Sequence, residues 1–176
     1  MPRLGERIWP FFAPTSFDSF RTLLGQSSRG PSTAEERATA VKAAHLLESD
    51  PFNKDAKKLR EWFTLWLIQI PDITVQACTA YLGPVVGSKY KYDSELFSQT
   101  MFSGVAFIVE NPEQAKDPLN VNVAGLEGAL KAYEAIVREK PKARHEFLDE
   151  LLAKREKGEL RAYVEEVVKS KCKGGS

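Results

Sequence analysis

The stretch Asp93–Pro112, DSELFSQTMFSGVAFIVENP, decides how the rest of the chain is read. It opens on an aspartate suited to an N-cap, then Ser94 and Glu95, and negative charge favours the first turn of a helix. It closes on Asn111-Pro112, where a residue before proline is pushed out of the helical region. From Leu96 to Val109 there is no ionisable side chain. Leu96, Phe97, Met101, Val105 and Ile108 share one face, and Phe102, Ala106 and Val109 carry the apolar surface further round the axis. A helix apolar on nearly every side is a buried one, so the spacing predicts a central helix over 94–111. The uncharged run is shorter than the roughly 20 residues of a membrane span, so the burial is expected inside protein.

Downstream, Asp117-Pro118 reads as a cap with proline at the first helical position, opening a helix from Leu119 to about Glu139. Leu119, Val123, Leu126, Leu130, Tyr133 and Val137 make one stripe of it. Gly125, Ala129, Ala132 and Ile136 make a second, mostly of small residues that let another backbone come close. Glu127 with Lys131, and Glu134 with Arg138, are spaced for ion pairs along the remaining face. Two apolar faces call for two neighbours, and the central helix is the expected first one, with Gly104 as a contact point. Beyond Lys140-Pro141, two shorter helices are marked by Phe147, Leu148, Leu151 and Leu152, and by Leu160, Tyr163, Val164 and Val167, with Gly158 between them.

Upstream, Gly83 to Tyr92 is the longest expected connection. Before it, Pro71-Asp72 predicts a third helix over Ile73–Leu82. Asn53 is expected to cap a second helix, with Leu59, Trp62, Phe63, Trp66, Leu67 and Ile70 on its inner stripe. Ser32-Thr33-Ala34-Glu35 has the form of a capping box for a first helix running to about Ser49. No segment alternates with a period of two, so the expected fold is all-α: one domain, a bundle of six or seven helices around the buried central one. Residues 32–172 form that domain. Residues 1–31 read as an aromatic and proline-rich extension with a short helix over Ser16–Leu24, and 173–176 as a disordered tail.

Several phrases carry a resemblance: Pro71-Asp72-Ile73, Lys89-Tyr90-Lys91-Tyr92, Glu110-Asn111-Pro112, Ala124-Gly125-Leu126-Glu127 and Phe147-Leu148-Asp149. Together they resemble an uncharacterised family of small bacterial helical proteins, some of which begin with export signals. The resemblance implies an all-helical fold over about 33–172 and brings no catalytic residue with it. The phrase LKAYEAIVREKPKA, over 130–143, is similar to the second helix of a tetratricopeptide repeat. No matching period precedes it, so helix composition alone explains that likeness.

The net charge of +1 over 176 residues argues against bulk electrostatic attraction to nucleic acid. There is no nucleophile elbow, phosphate-binding glycine loop, dinucleotide fingerprint or metal-type cysteine spacing. His45 with Glu48, and His145 with Asp149, each have one-turn spacing for half a metal site, but no second half accompanies either, and surface histidines beside helical carboxylates are the plainer reading. Cys78 and Cys172 leave two arrangements open: free thiols, or a disulfide stapling the last helix to the core in an oxidising compartment.

The strongest candidate site is the loop Lys89, Tyr90, Lys91 and Tyr92, where two ammonium groups and two phenols precede a helix N-terminus. The expected role is a non-catalytic helical binding or protein-interaction module, without cofactor or metal. The alternative is a small enzyme or carrier for an anionic ligand held at that loop. The expected partner is a protein or a small anion. As written, the N-terminus has no export signal and points to the cytoplasm, with export the expectation if translation starts upstream.

Overall fold

The computed structural model describes residues 29–76 and 78–172. They form α1 (Ala34–Ser49), α2 (Ala56–Gln69), a 3-10 segment (Thr79–Val85), α3 (Asp93–Glu110), α4 (Pro118–Glu139), a 3-10 turn (Pro141–Ala143), α5 (Glu146–Glu156) and α6 (Leu160–Lys171). The fold is all-α, with no strand among the described residues. None of these helices is long and apolar enough to cross a membrane. Most of the predicted extension, its short helix and the tail at 173–176 lie outside the described residues.

α3 occupies the centre, packed chiefly against α4 and next against α1. The small-residue stripe of α4 is what lets them meet. A Cβ on Gly125 would lie 2.6 Å from the Thr100 carbonyl oxygen, so at this crossing α4 lies against the α3 backbone itself. One turn on, a Cβ at Gly128 would collide with the Ser103 side chain and lie 2.6 Å from Glu48 Oε1. Gly104, the expected contact point, faces Val121 of α4 less tightly: a Cβ there would lie 3.3 and 3.4 Å from the Val121 and Val75 methyl groups and 3.7 Å from the Val121 carbonyl oxygen.

The apolar core has two parts. Phe63 of α2 stacks on Phe102 of α3 at 4.2 Å between centroids, within a cluster that also holds Leu47, Trp66, Val105 and Ala106. The other cluster gathers Leu96, Leu126, Leu130, Tyr133, Ile136, Leu148, Leu151 and Val164 around the C-terminal half of α4. Polar groups are buried in the α1–α3–α4 contact: Glu48, Gln99, Thr100 and Ser103 are each no more than 6% exposed. The predicted stripe of α3 is corrected accordingly. Leu96 and Val105 are buried, but Phe97, Met101 and Ile108 are only partly so.

Other local expectations shift for identifiable reasons. The capping box of α1 is Thr33 with Glu36, one residue later than expected, because Ser32 donates both its N–H and its hydroxyl to Asp72, at 2.8 and 2.7 Å. Asp72 is thereby a tie to the chain ahead of α1 rather than a cap. No α-helix follows it: residues 73–76 are irregular, and the chain then winds as 3-10 through Thr79–Val85. Three consecutive β-branched residues, Ile73, Thr74 and Val75, disfavour the helix. Gly83 adopts a φ of 52°, and a Cβ there would lie 2.5 Å from the Phe147 ring. α2 starts at Ala56 after a turn in which Asn53 Oδ1 accepts from the Asp55 N–H, and α3 has Tyr92, not Asp93, in the N-cap position. The ion pairs of α4 go to other helices: Lys131 reaches Glu48, and Glu134 binds the Arg155 guanidinium through both oxygens, at 2.9 and 2.7 Å.

Candidate functional site

The Lys89–Tyr92 loop is held by its own small hydrogen-bonded turns. Ser88 donates its hydroxyl to the Val85 carbonyl at 2.7 Å and accepts from the Tyr90 N–H at 3.0 Å. Gly87, with a φ of 74°, supplies the left-handed residue that this reversal requires. Tyr90 then crosses to a distant part of the chain, donating its hydroxyl to the Ala143 carbonyl at 2.9 Å. That bond ties the loop to the connection between α4 and α5, where Lys140, Lys142 and Arg144 stand.

The two segments enclose a cleft of about 370 Å³ lined by Lys89, Tyr90, Lys91, Tyr92, Lys140, Lys142, Ala143 and Arg144. Five of these eight residues are cationic, and no carboxylate lines the cleft. Arg144 is engaged by Asp149 at 3.2 Å. Lys91 and Lys140 lie over aromatic rings, 5.6 Å above Tyr92 and 5.7 Å above Phe52. No ion pair within 4.0 Å holds Lys89, Lys91, Lys140 or Lys142 among the described residues. Exposed lysines lose little by waiting unpaired in water, and together they make a positive recess on a chain of nearly balanced charge.

The tyrosines have different duties from the lysines. Tyr92 is 8% exposed and belongs to the apolar core. Burial, reinforced by neighbouring phenols and by the Asp149 and Glu95 carboxylates, all of which oppose a phenolate, pushes the Tyr90 phenol well above its ordinary pKa, so it stays a hydrogen-bond donor. Tyr133 behaves alike: burial first, then the Asp149 carboxylate, push it up to about 12, while its hydroxyl donates to Asp149 and accepts from the His145 N–H, both at 2.8 Å. Asp93 and Glu95 occupy the first turn of α3, so the helix N-terminus already has negative charge beside it.

The two histidine–carboxylate pairs have different surroundings, and the His145 Nδ1 is buried without a hydrogen-bond partner. Asp149 is taken by Tyr133 and Arg144, while the His145 ring packs edge-on against Tyr90 at 5.3 Å. His45 is held by two carboxylates, Nδ1 to Glu48 at 3.2 Å and Nε2 to Glu110 at 3.0 Å.

Glu48 organises a second polar cluster. Its Oε1 accepts the Ser103 hydroxyl at 2.7 Å, and its Oε2 faces Lys131 and His45, each at 3.2 Å. Ser103 in turn accepts from the Gln99 amide, which also donates to the Ala44 carbonyl. Burial would raise the Glu48 pKa, but the Ser103 hydrogen bond, His45 and Lys131 outweigh it and hold the carboxyl below its ordinary value. Burial would likewise lower that of His45, but hydrogen bonds to Glu110 and Glu48 outweigh it and raise the pKa. A buried carboxylate persists only when paired and hydrogen-bonded, and Glu48 is both. Partners from α1, α3 and α4 meet at this carboxylate, so the cluster joins three helices, and a recess of about 410 Å³ opens beside it, lined by His45, Glu48, Lys131, Glu134 and Arg138.

Cys78 and Cys172 are joined as a disulfide, with Cα atoms 5.9 Å apart, tying the chain ahead of the 3-10 segment to the end of α6. The Lys140, Lys142 and Arg144 wall of the cleft was missed from sequence. Its signal was present in the alternating cations of Lys140-Pro141-Lys142-Ala143-Arg144, but sequence gives no indication that this run faces a loop some fifty residues upstream.

Comparison with protein-family models, curated proteins and solved structures finds no match to this chain.

Proposed function

We propose that the chain is a non-catalytic helical binding module that takes an anionic partner in the cleft between the Lys89–Tyr92 loop and the Lys140–Arg144 connection. The observation that carries this reading is the convergence of five cationic side chains from two separate segments on one recess without a carboxylate in its lining. In a chain of net charge +1, such a concentration gives local attraction without general affinity for polyanions. The phenols nearby support it in a structural way. Tyr90 fixes one wall to the other through Ala143, and Tyr92 anchors the loop in the core, so the cations are presented on a braced surface.

The test is a thermal-shift and calorimetric screen of small polyanions and acidic peptides against the parent protein and two double variants, Lys89→Ala with Lys91→Ala and Lys140→Ala with Lys142→Ala. Both variants should keep the parental melting midpoint, because exposed lysines contribute little to folding. Both should bind more weakly, and the affinity of the parent should fall as salt is added. Equal binding by the parent and both double variants would refute the reading.

A further inference from the structure

Resting on that reading, we propose that the partner is an extended acidic peptide segment carrying one aromatic or large aliphatic residue, which seats beside Phe52 while its carboxylates meet the lysines. The cleft continues into a row of rings. His145 packs edge-on to Tyr90 at 5.3 Å, Tyr90 edge-on to Tyr92 at 5.8 Å, and Tyr92 edge-on to Phe52 at 5.7 Å. Lys91 and Lys140 lie over the last two rings of this row. Cations and apolar surface are thus distributed along a line, whereas a compact anion such as phosphate uses a single focus of charge.

Phe52 ends the row and is 37% exposed, one of four large apolar side chains left open among the described residues. A phosphate or a simple carboxylate gains nothing from it. An acidic segment with a single apolar residue uses both features, carboxylates drawing Lys91 and Lys140 while the apolar side chain covers Phe52. A single-stranded nucleic acid would need open ring faces on which successive bases stack. Here the rings meet edge to face, at interplanar angles of 65° and 71° along the Phe52–Tyr92–Tyr90 part of the row, and Tyr92 is buried. Phe52 is the most open ring of the row, which suits one anchor residue.

Fluorescence anisotropy on the full chain tests this with two labelled probes, the peptide Glu-Glu-Phe-Glu-Glu-Glu and its counterpart with serine in place of phenylalanine. Inorganic phosphate, citrate and an oligothymidylate are tested alongside. The phenylalanine peptide should bind about fivefold tighter than the serine peptide, the worth of one aromatic contact. Phe52→Ser should abolish that difference, with the melting curve confirming that the variant is folded. Equal binding of the two peptides, insensitive to Phe52→Ser, overturns the anchor and leaves the charge reading standing. Binding of citrate or phosphate without either peptide makes the cleft a small-anion site and overturns the inference alone. Tighter binding of the oligothymidylate than of either peptide overturns it in favour of nucleic acid. No binding by any probe overturns both the inference and the reading it rests on.

Discussion

Gly125→Ala tests the packing that builds the whole bundle. In the middle of an exposed helix, replacing glycine by alanine stabilises by about 1 kcal/mol. At position 125 the new methyl would lie 2.6 Å from the Thr100 carbonyl oxygen and 3.4 Å from its carbon. Ordinary contact begins near 3.4 Å, so α3 and α4 must part by most of an ångström. The obstacle is backbone, which cannot rotate aside as a side chain can. A gap of that size forfeits roughly a quarter to a half of the dispersion energy of the atoms it separates, and overpacking of this kind costs ~1–3 kcal/mol. It also disturbs the Glu48 cluster, where Ser103 of α3 and Lys131 of α4 meet the carboxylate of α1. Set against the propensity gain, the net expectation is destabilisation by about 1–2 kcal/mol, which lowers the melting midpoint by about 2–4 °C per kcal/mol in a chain of this size. Thermal and urea denaturation followed by far-UV circular dichroism measures it. Gly104→Ala is the internal comparison: its tight contacts are valine methyl groups at 3.3 and 3.4 Å, which can yield, and the Val121 carbonyl oxygen is at an ordinary 3.7 Å, so it should be close to neutral. If Gly125→Ala is as stable as the parent or more so, the close α3–α4 approach is wrong.

The His45–Glu48 cluster predicts a stability that depends on pH on both sides. His45 has a raised pKa, so its contribution is complete below its unfolded value near 6.5 and is lost as pH rises through the higher folded value. Glu48 has a lowered pKa, so its contribution is present above its unfolded value near 4.5 and is lost as pH falls through the folded value. Stability should therefore be greatest between these limits. Because Asp72 shares the acid side, the diagnostic is the alkaline limb, which His45→Gln should flatten; an unaltered limb in urea titrations across pH would remove His45 from the account. Tyr90→Phe deletes the bond to the Ala143 carbonyl and should cost about 1 kcal/mol while loosening the brace between the cleft walls; an unchanged urea midpoint would show that this bond contributes nothing. Protein folded in an oxidising medium should carry the Cys78–Cys172 bond, closing a long loop worth on the order of 4 kcal/mol in the chain-entropy model. Intact mass after alkylation, with and without reductant, decides this, and two alkylated thiols in unreduced protein would count against it.

The sequence by itself determined which segments are helices wherever an apolar period was long and its ends were punctuated. Asp93–Glu110 and Pro118–Glu139 are found almost where their caps and prolines put them, because those signals act within a turn or two of chain. It also marked the small-residue face of α4, since glycine and alanine at that spacing serve close approach. Three things depended on tertiary structure. The segment after Asp72 is not an α-helix: the β-branched run Ile73-Thr74-Val75 was visible in the sequence, but Ser32's capture of the aspartate and the turn of Gly83 against Phe147 were not. Glu48, read only as the carboxylate beside a surface histidine, is buried, because Ser103 of α3 and Lys131 of α4 reach it across the helix contacts. The Lys89–Tyr92 loop faces a cationic wall from Lys140–Arg144, an arrangement no local pattern encodes. Periodicity and caps report interactions between neighbours in the chain, whereas the partners of a buried charge or a cleft wall are set by how whole helices cross.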